Sequence, residues 1–198
     1  MDTPPSPAQI SRWITDLASA IENERAAAAR RWHSVARDLY TAAVSSWVGD
    51  VRFRELLLHP AEWASSFVTG IAVQPENFER IRRANGTPPL ADVPPEQDAK
   101  EFELRIAEMD FDILTTRQPG GVGAIARFLE KFGEGIQQVE IYVRDVHRAT
   151  TILRERFKLE PVYPAARAGA NGTRVNFFLV PAQGKKVLLE LVEAQTER

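Results

Sequence analysis

Residues 125–146 read IARFLEKFGEGIQQVEIYVRDV, and three elements follow one another within and around them. A helix is predicted over 124–132. From residue 136 to 143 the apolar period changes to two, which puts Gln138, Glu140 and Tyr142 on one face of a strand and Val139, Ile141 and Val143 on the other. A second helix is predicted over 145–157, then a short strand over 160–163 and strands over 173–181 and 186–193. Working backwards, 67–73 reads as a strand and 75–85 as a helix closed by Asn85-Gly86. A Pro-rich loop over 86–99 follows, then strands over 101–107 and 110–116, and a Gly-rich turn over 119–123. Setting 68–73 against 138–143 aligns two βαβββ modules offset by 70 residues, an internal duplication.

The first third of the chain has a different composition. All four Trp (13, 32, 47 and 63) lie there, and every Lys lies beyond it. Ser6-Pro7-Ala8-Gln9 reads as a capping box with Pro at the first helical position, because the Ser6 hydroxyl and the Gln9 side chain can serve otherwise orphaned amides. Apolar residues then recur at helical spacing from Ile10 through Trp13, Leu17, Trp32 and Leu39 to Trp47, and Gly49 supplies a stop. As one helix this stripe would reach roughly 60 Å, longer than the globular body beside it. It therefore either folds back near residues 22–25 or reaches across to a second subunit. Trp at such spacing marks either a packing face or a dimer interface.

Composition narrows the function. The chain has 198 residues, a net charge of −2 and a pI near 6.0, and so no basic footprint for a nucleic-acid backbone. It contains no apolar run long enough to cross a bilayer, and no secretory signal opens it, so a cytoplasmic address is expected. The absence of Cys rules out thiolate chemistry. His33, His59 and His147 all fall outside the predicted barrel strands, so a two-His iron site cannot be assembled on them.

The run 125–146, together with VLLELVE at 187–193, resembles the vicinal oxygen chelate superfamily: glyoxalase I, methylmalonyl-CoA epimerase, extradiol dioxygenases and bleomycin-resistance proteins. The epimerase and glyoxalase branch is the most similar, and the likeness covers about residues 66–196. The resemblance implies an α+β fold in which two βαβββ modules form a cupped mixed sheet, the glyoxalase-like barrel, after an N-terminal α-helical region. It divides the chain into a helical extension over 1–65, module one over 66–118, a linker helix over 119–134 and module two over 135–196. It also implies a divalent ion held by one residue from each of four strands.

Carried over by position, those four places fall on Val68, Asp112, Gln138 and Glu190. Valine cannot ligate, and no imidazole is among them. The resemblance thus implies a barrel that binds a small polar or carbonyl-bearing molecule, with its usual His-based metal site degraded. Gln138, Tyr142 and Asp112 would then contact the ligand, Glu190 or Glu140 would serve as base, and no cofactor is expected. Two alternatives stand beside it. One is a lyase or isomerase, not a dioxygenase, using Asp112, Gln138 and Glu190 around magnesium, manganese or calcium. The other is a helical interaction module carried on a barrel scaffold. A small-molecule ligand and a homodimer are expected, and nucleic-acid and membrane partners are not.

Overall fold

A computed structural model describes residues 5–62, 64–182 and 185–193. Trp63 and the last three positions expected in module two, 194–196, lie outside the described residues. The elements in order are helices α1 (Pro7–Leu17), α2 (Glu22–Val48) and α3 (Val51–Arg54), then strand β1 (Val68–Ala72) and helix α4 (Pro75–Ala84). Strands β2 (Ala99–Ile106) and β3 (Met109–Thr116) lead to α5 (Ala124–Phe132), β4 (Gly135–Tyr142) and α6 (Val146–Phe157). The short β5 (Arg167–Ala168) precedes β6 (Arg174–Ala182) and β7 (Lys185–Glu193). The fold is α+β, as expected.

The expected helical stripe folds back on itself. Ser6 caps α1 in the anticipated box with Gln9, and α1 ends at Leu17. The chain reverses over 18–21, and the Trp13 indole then meets Trp32 of α2 edge to face at 5.3 Å. Asp16 accepts from Arg31 at 3.3 Å across the same hairpin. Trp32 and Trp47 are both fully buried within this chain, the second edge-on to Phe53.

The chain divides into two compact units, 1–36 with 69–137, and 37–68 with 138–198. In the first, β3 pairs antiparallel with β2 and parallel with β1. The face bearing Ile71, Ile113, Phe111 and Phe102 packs on Phe78 and Ile81 of α4, and Trp32, Ile14 and Leu17 join the same cluster. Glu134, just after α5, takes hydrogen bonds from the Gln74 amide and from Asn77 Nδ2, each 2.8 Å, so it caps α4 from outside the helix.

In the second unit, β7 lies parallel to β4 and antiparallel to β6, and β5 flanks β6. Its apolar face (Val139, Ile141, Leu189, Leu191 and Phe178) is buried. On the same face Asn176 reaches Thr150 of α6 at 3.4 Å. The segment 56–58 continues along the end of β4 through Leu58 N to Tyr142 O (3.2 Å) and Arg144 N to Leu56 O (2.8 Å). Asp50 caps α3 by accepting from Arg52 N at 2.9 Å and pairs with Arg156 of α6. Burial pushes the Asp50 carboxyl up, but the Arg156 guanidinium and two backbone amides outweigh it and hold it below its ordinary value. Tyr40 of α2 stacks on Phe67 at 4.8 Å, and burial pushes its phenol well up.

Two expectations need correction. Module one is βαββ, not βαβββ: 86–98 adds no strand, because Pro88, Pro89, Pro94 and Pro95 lack the amide donors a ladder requires. The strand expected over 160–163 is also missing; Pro161 makes only an isolated bridge to Phe178, and the edge strand is β5 instead.

Candidate functional site on the polar face of the second unit

Residues directly opposite on paired strands project from the same side of a sheet, so register alone assembles a face. Glu140 on β4 stands opposite Glu190 on β7, and Glu190 opposite Phe177 on β6. One step along, Gln138 faces Leu188, which faces Leu179. In the other direction Tyr142 faces Val192, Val192 faces Val175, and Val175 faces Arg167 on β5. The face thus carries an amide, two carboxylates and a phenol at one side, apolar and aromatic groups next, and a guanidinium at the far strand.

This face is not a solvated surface. Glu140 is 4% exposed, Gln138 6% and Glu190 8%, whereas Phe177 is half-buried and Leu179 is 49% exposed. Gln138 Nε2 donates to Glu140 Oε1 at 3.0 Å and also to Glu190 Oε2. One amide therefore serves two buried carboxylates, which without a donor would each carry the cost of lost hydration. Chemically, this is a pair of oxygen bases held in place by a neutral donor.

Asp112, the remaining expected contact, is buried on β3 of the first unit, opposite Gly70 and next to Glu103. Val68 begins β1. His33 lies on α2 and His147 on α6, and His59 lies in no helix or strand.

The described side chains do not assemble the divalent-ion site that the resemblance implies. Gln138 turns its amide N–H groups toward Glu140 and Glu190, so a hydrogen-bond donor already meets the charge an ion would neutralise. Among the described residues no group of three or more His, Asp or Glu side chains could hold one. The Gly-rich turn is also filled: a Cβ at Gly123 would meet Asp98 Oδ2 at 3.1 Å, and one at Gly121 would meet it at 3.3 Å. A carboxylate seated there opposes a phosphate, and the glycines allow the turn to pack closely on Asp98 within the first unit.

Three residues of the face escape a reading of the sequence: Phe177, Tyr163 and Arg167. Tyr163 packs edge-on against Phe177 at 6.0 Å, and the Arg167 guanidinium lies 4.4 Å from the Tyr163 ring centre. Arg167 sits in a run of small residues, PAARAGANG, with no period to assign its side, and only its pairing with Val175 does so.

Solved structures resemble this chain. Methylmalonyl-CoA epimerase from Mycobacterium tuberculosis matches at 28% identity and a TM-score of 0.52, over 65% of this chain and 87% of that one. A hypothetical protein from Bacillus halodurans matches at 25% identity and a TM-score of 0.54, over 67% of this chain and 98% of that one. The Streptomyces coelicolor epimerase in complex with 2-nitronate-propionyl-CoA shares the fold at 23% identity and a TM-score of 0.53, over 65% and 96%. No protein-family model and no curated protein matches the sequence. Among the described residues no helix is long and apolar enough to cross a membrane.

Proposed function

The chain has the vicinal oxygen chelate fold, and from that premise we propose that the polar face of its second unit binds a small carbonyl-bearing molecule against Gln138, Glu140 and Glu190. The observation that carries this reading is the Gln138 amide shared between two buried carboxylates. Two anions so close in a poorly hydrated place repel one another, and one proton shared between them relieves the repulsion. The protonated partner can then donate to a ligand carbonyl oxygen, while the ionised one accepts a proton from the adjacent carbon. Tyr142, half-buried on the same row of β4, offers a second donor to the developing oxyanion.

This chemistry suits an isomerase or lyase that works by proton transfer, and the solved neighbours that act on acyl-CoA thioesters make those compounds the first probes. The roles fall on this chain's own groups: Glu190 or Glu140 as base, the other as acid, Gln138 as the group that holds both. No step is assigned to a metal ion.

The test uses the full chain with methylmalonyl-CoA, propionyl-CoA and pyruvate, following binding by NMR shifts and α-hydrogen exchange in D2O. Saturable binding is expected with at least one of them. Any α-exchange should fall about 100-fold or more in Glu190→Gln, a loss typical for removal of a general base. Absence of binding by all three would overturn the proposal. Exchange unaffected by both Glu190→Gln and Glu140→Gln would remove the acid–base part and leave a binding protein.

A further inference from the structure

The row that begins at the two acids ends on a cation. From Glu190 it passes to Phe177, from Phe177 to the Tyr163 ring, and from Tyr163 to the guanidinium of Arg167. Arg167 belongs to the same face by a second route, through Val175 and Val192 to Tyr142. These residues all lie within the second unit.

We propose that Arg167 recognises an oxyanion group on the ligand, carboxylate or phosphate, while Phe177 and Tyr163 form the shelf beneath the ligand's uncharged middle. The proposal rests on the reading above that this face holds the ligand, and it names the substrate class: a short carbonyl compound that is also an acid. The Arg167 guanidinium lies 4.4 Å from the Tyr163 ring centre, and a guanidinium can rest against an aromatic ring and still grip an oxyanion with two parallel hydrogen bonds through its planar fork. Electrostatics sets the direction. An anionic ligand is repelled by Glu140 and Glu190, so its charged end belongs at the opposite end of the row, and its carbonyl end at the acids. Two strand spacings separate β7 from β5, roughly 10 Å between backbones. The gap left suits an acid of a few carbon atoms.

The experiment titrates the full chain by calorimetry with malonamate, which has a carboxylate at one end and an amide carbonyl at the other, with the uncharged diamide malonamide, and with inorganic phosphate, in the wild type and in Arg167→Gln and Arg167→Lys. Malonamate should bind the wild type, weaken at least tenfold in Arg167→Gln and recover in part in Arg167→Lys, whose ammonium keeps the charge but not the fork. Malonamide binding should be indifferent to either change. Phosphate displacing malonamate assigns the site to phosphate-type ligands, and malonamate alone assigns it to carboxylates; both support the proposal. Equal malonamate affinity in Arg167→Gln, or no binding of either anion, overturns it. So does a fall of the unliganded melting temperature in both variants with malonamate affinity intact, which would make the stack a loop clamp. Malonamate binding that needs Arg167 but survives Glu140→Gln and Glu190→Gln unchanged would instead defeat the reading of the acids and leave the anion site standing.

Discussion

Along β4 the side facing away from α6 carries Gln138, Glu140 and Tyr142; along β1 the positions offset by 70 residues carry Val68, Gly70 and Ala72. The pairing is otherwise the same. Glu140 stands opposite Glu190 on the parallel neighbour β7, and Gly70 stands opposite Asp112 on the parallel neighbour β3. Asp112 thus holds in the first unit the place Glu190 holds in the second, but it stands opposite a glycine where Glu190 stands opposite a glutamate. The opposite faces diverged far less: Ile71 and Ile113 in one unit correspond to Ile141 and Leu191 in the other, all buried. A face that packs on a helix must keep apolar volume to hold the fold, whereas a face that serves a ligand can lose its polar groups without unfolding anything.

The comparison can be broken at several depths. Trp32→Ala, which hollows the first unit's core, should cost about 3–5 kcal/mol. Hydrogen exchange should then quicken in 69–137 before it does in 138–193, and uniform quickening in both would contradict the division into two units. Gln138→Leu removes an amide from which two buried carboxylates accept and should cost about 1–3 kcal/mol in denaturant unfolding. The position offset by 70 residues, Val68 on β1, is apolar. Pairing Gln138→Leu with Glu190→Leu should recover part of the loss, and a fully additive loss would show that the amide and the acid are not coupled.

Asp50 sharpens the comparison from another side, since it ties the helical segment to α6 within the second unit. Its carboxyl is held below the ordinary value of 3.8, so the folded state prefers the charged form. Its stabilisation is present above 3.8 and disappears as pH falls through the lower folded value. Asp50→Asn should therefore melt below the wild type at pH 7, and the two curves should converge in acid. A gap that persists there would mean the variant disturbs packing rather than charge.

The smallest effect belongs to Thr69, on the core face of β1, whose buried hydroxyl has no hydrogen-bond partner among the described residues. Its counterpart by the 70-residue offset is Val139. Thr69→Val should be neutral or stabilising by about 1 kcal/mol, since it removes a desolvated group without changing shape. A destabilised variant would point to a bound water or ligand at that hydroxyl.

Helices α4, α5 and α6 and strands β1 to β4, β6 and β7 were legible from periodicity, because each buries one face and repeats its apolar residues at the period of its geometry. The strand expected over 160–163 was misplaced for the converse reason. A two-residue edge strand has no period, and β5 exists only because β6 offers it a partner. The stripe from Ile10 to Trp47 left both a hairpin and an arm open, since the pattern of a helix face says nothing about where the chain reverses.

By itself, then, the sequence determined the α+β class, the duplicated strand–helix order, the polar face of β4 and the absence of imidazole from every barrel strand, all properties of local pattern or of residue identity. Tertiary structure alone decided the rest. That Gln138 turns its amide toward both Glu140 and Glu190, that these acids are buried, and that Tyr163 and Arg167 join their row across three strands are consequences of register between segments up to 52 residues apart. Pairing of that kind is settled by which strands share a sheet, and side-chain spacing along one strand carries no record of its neighbour.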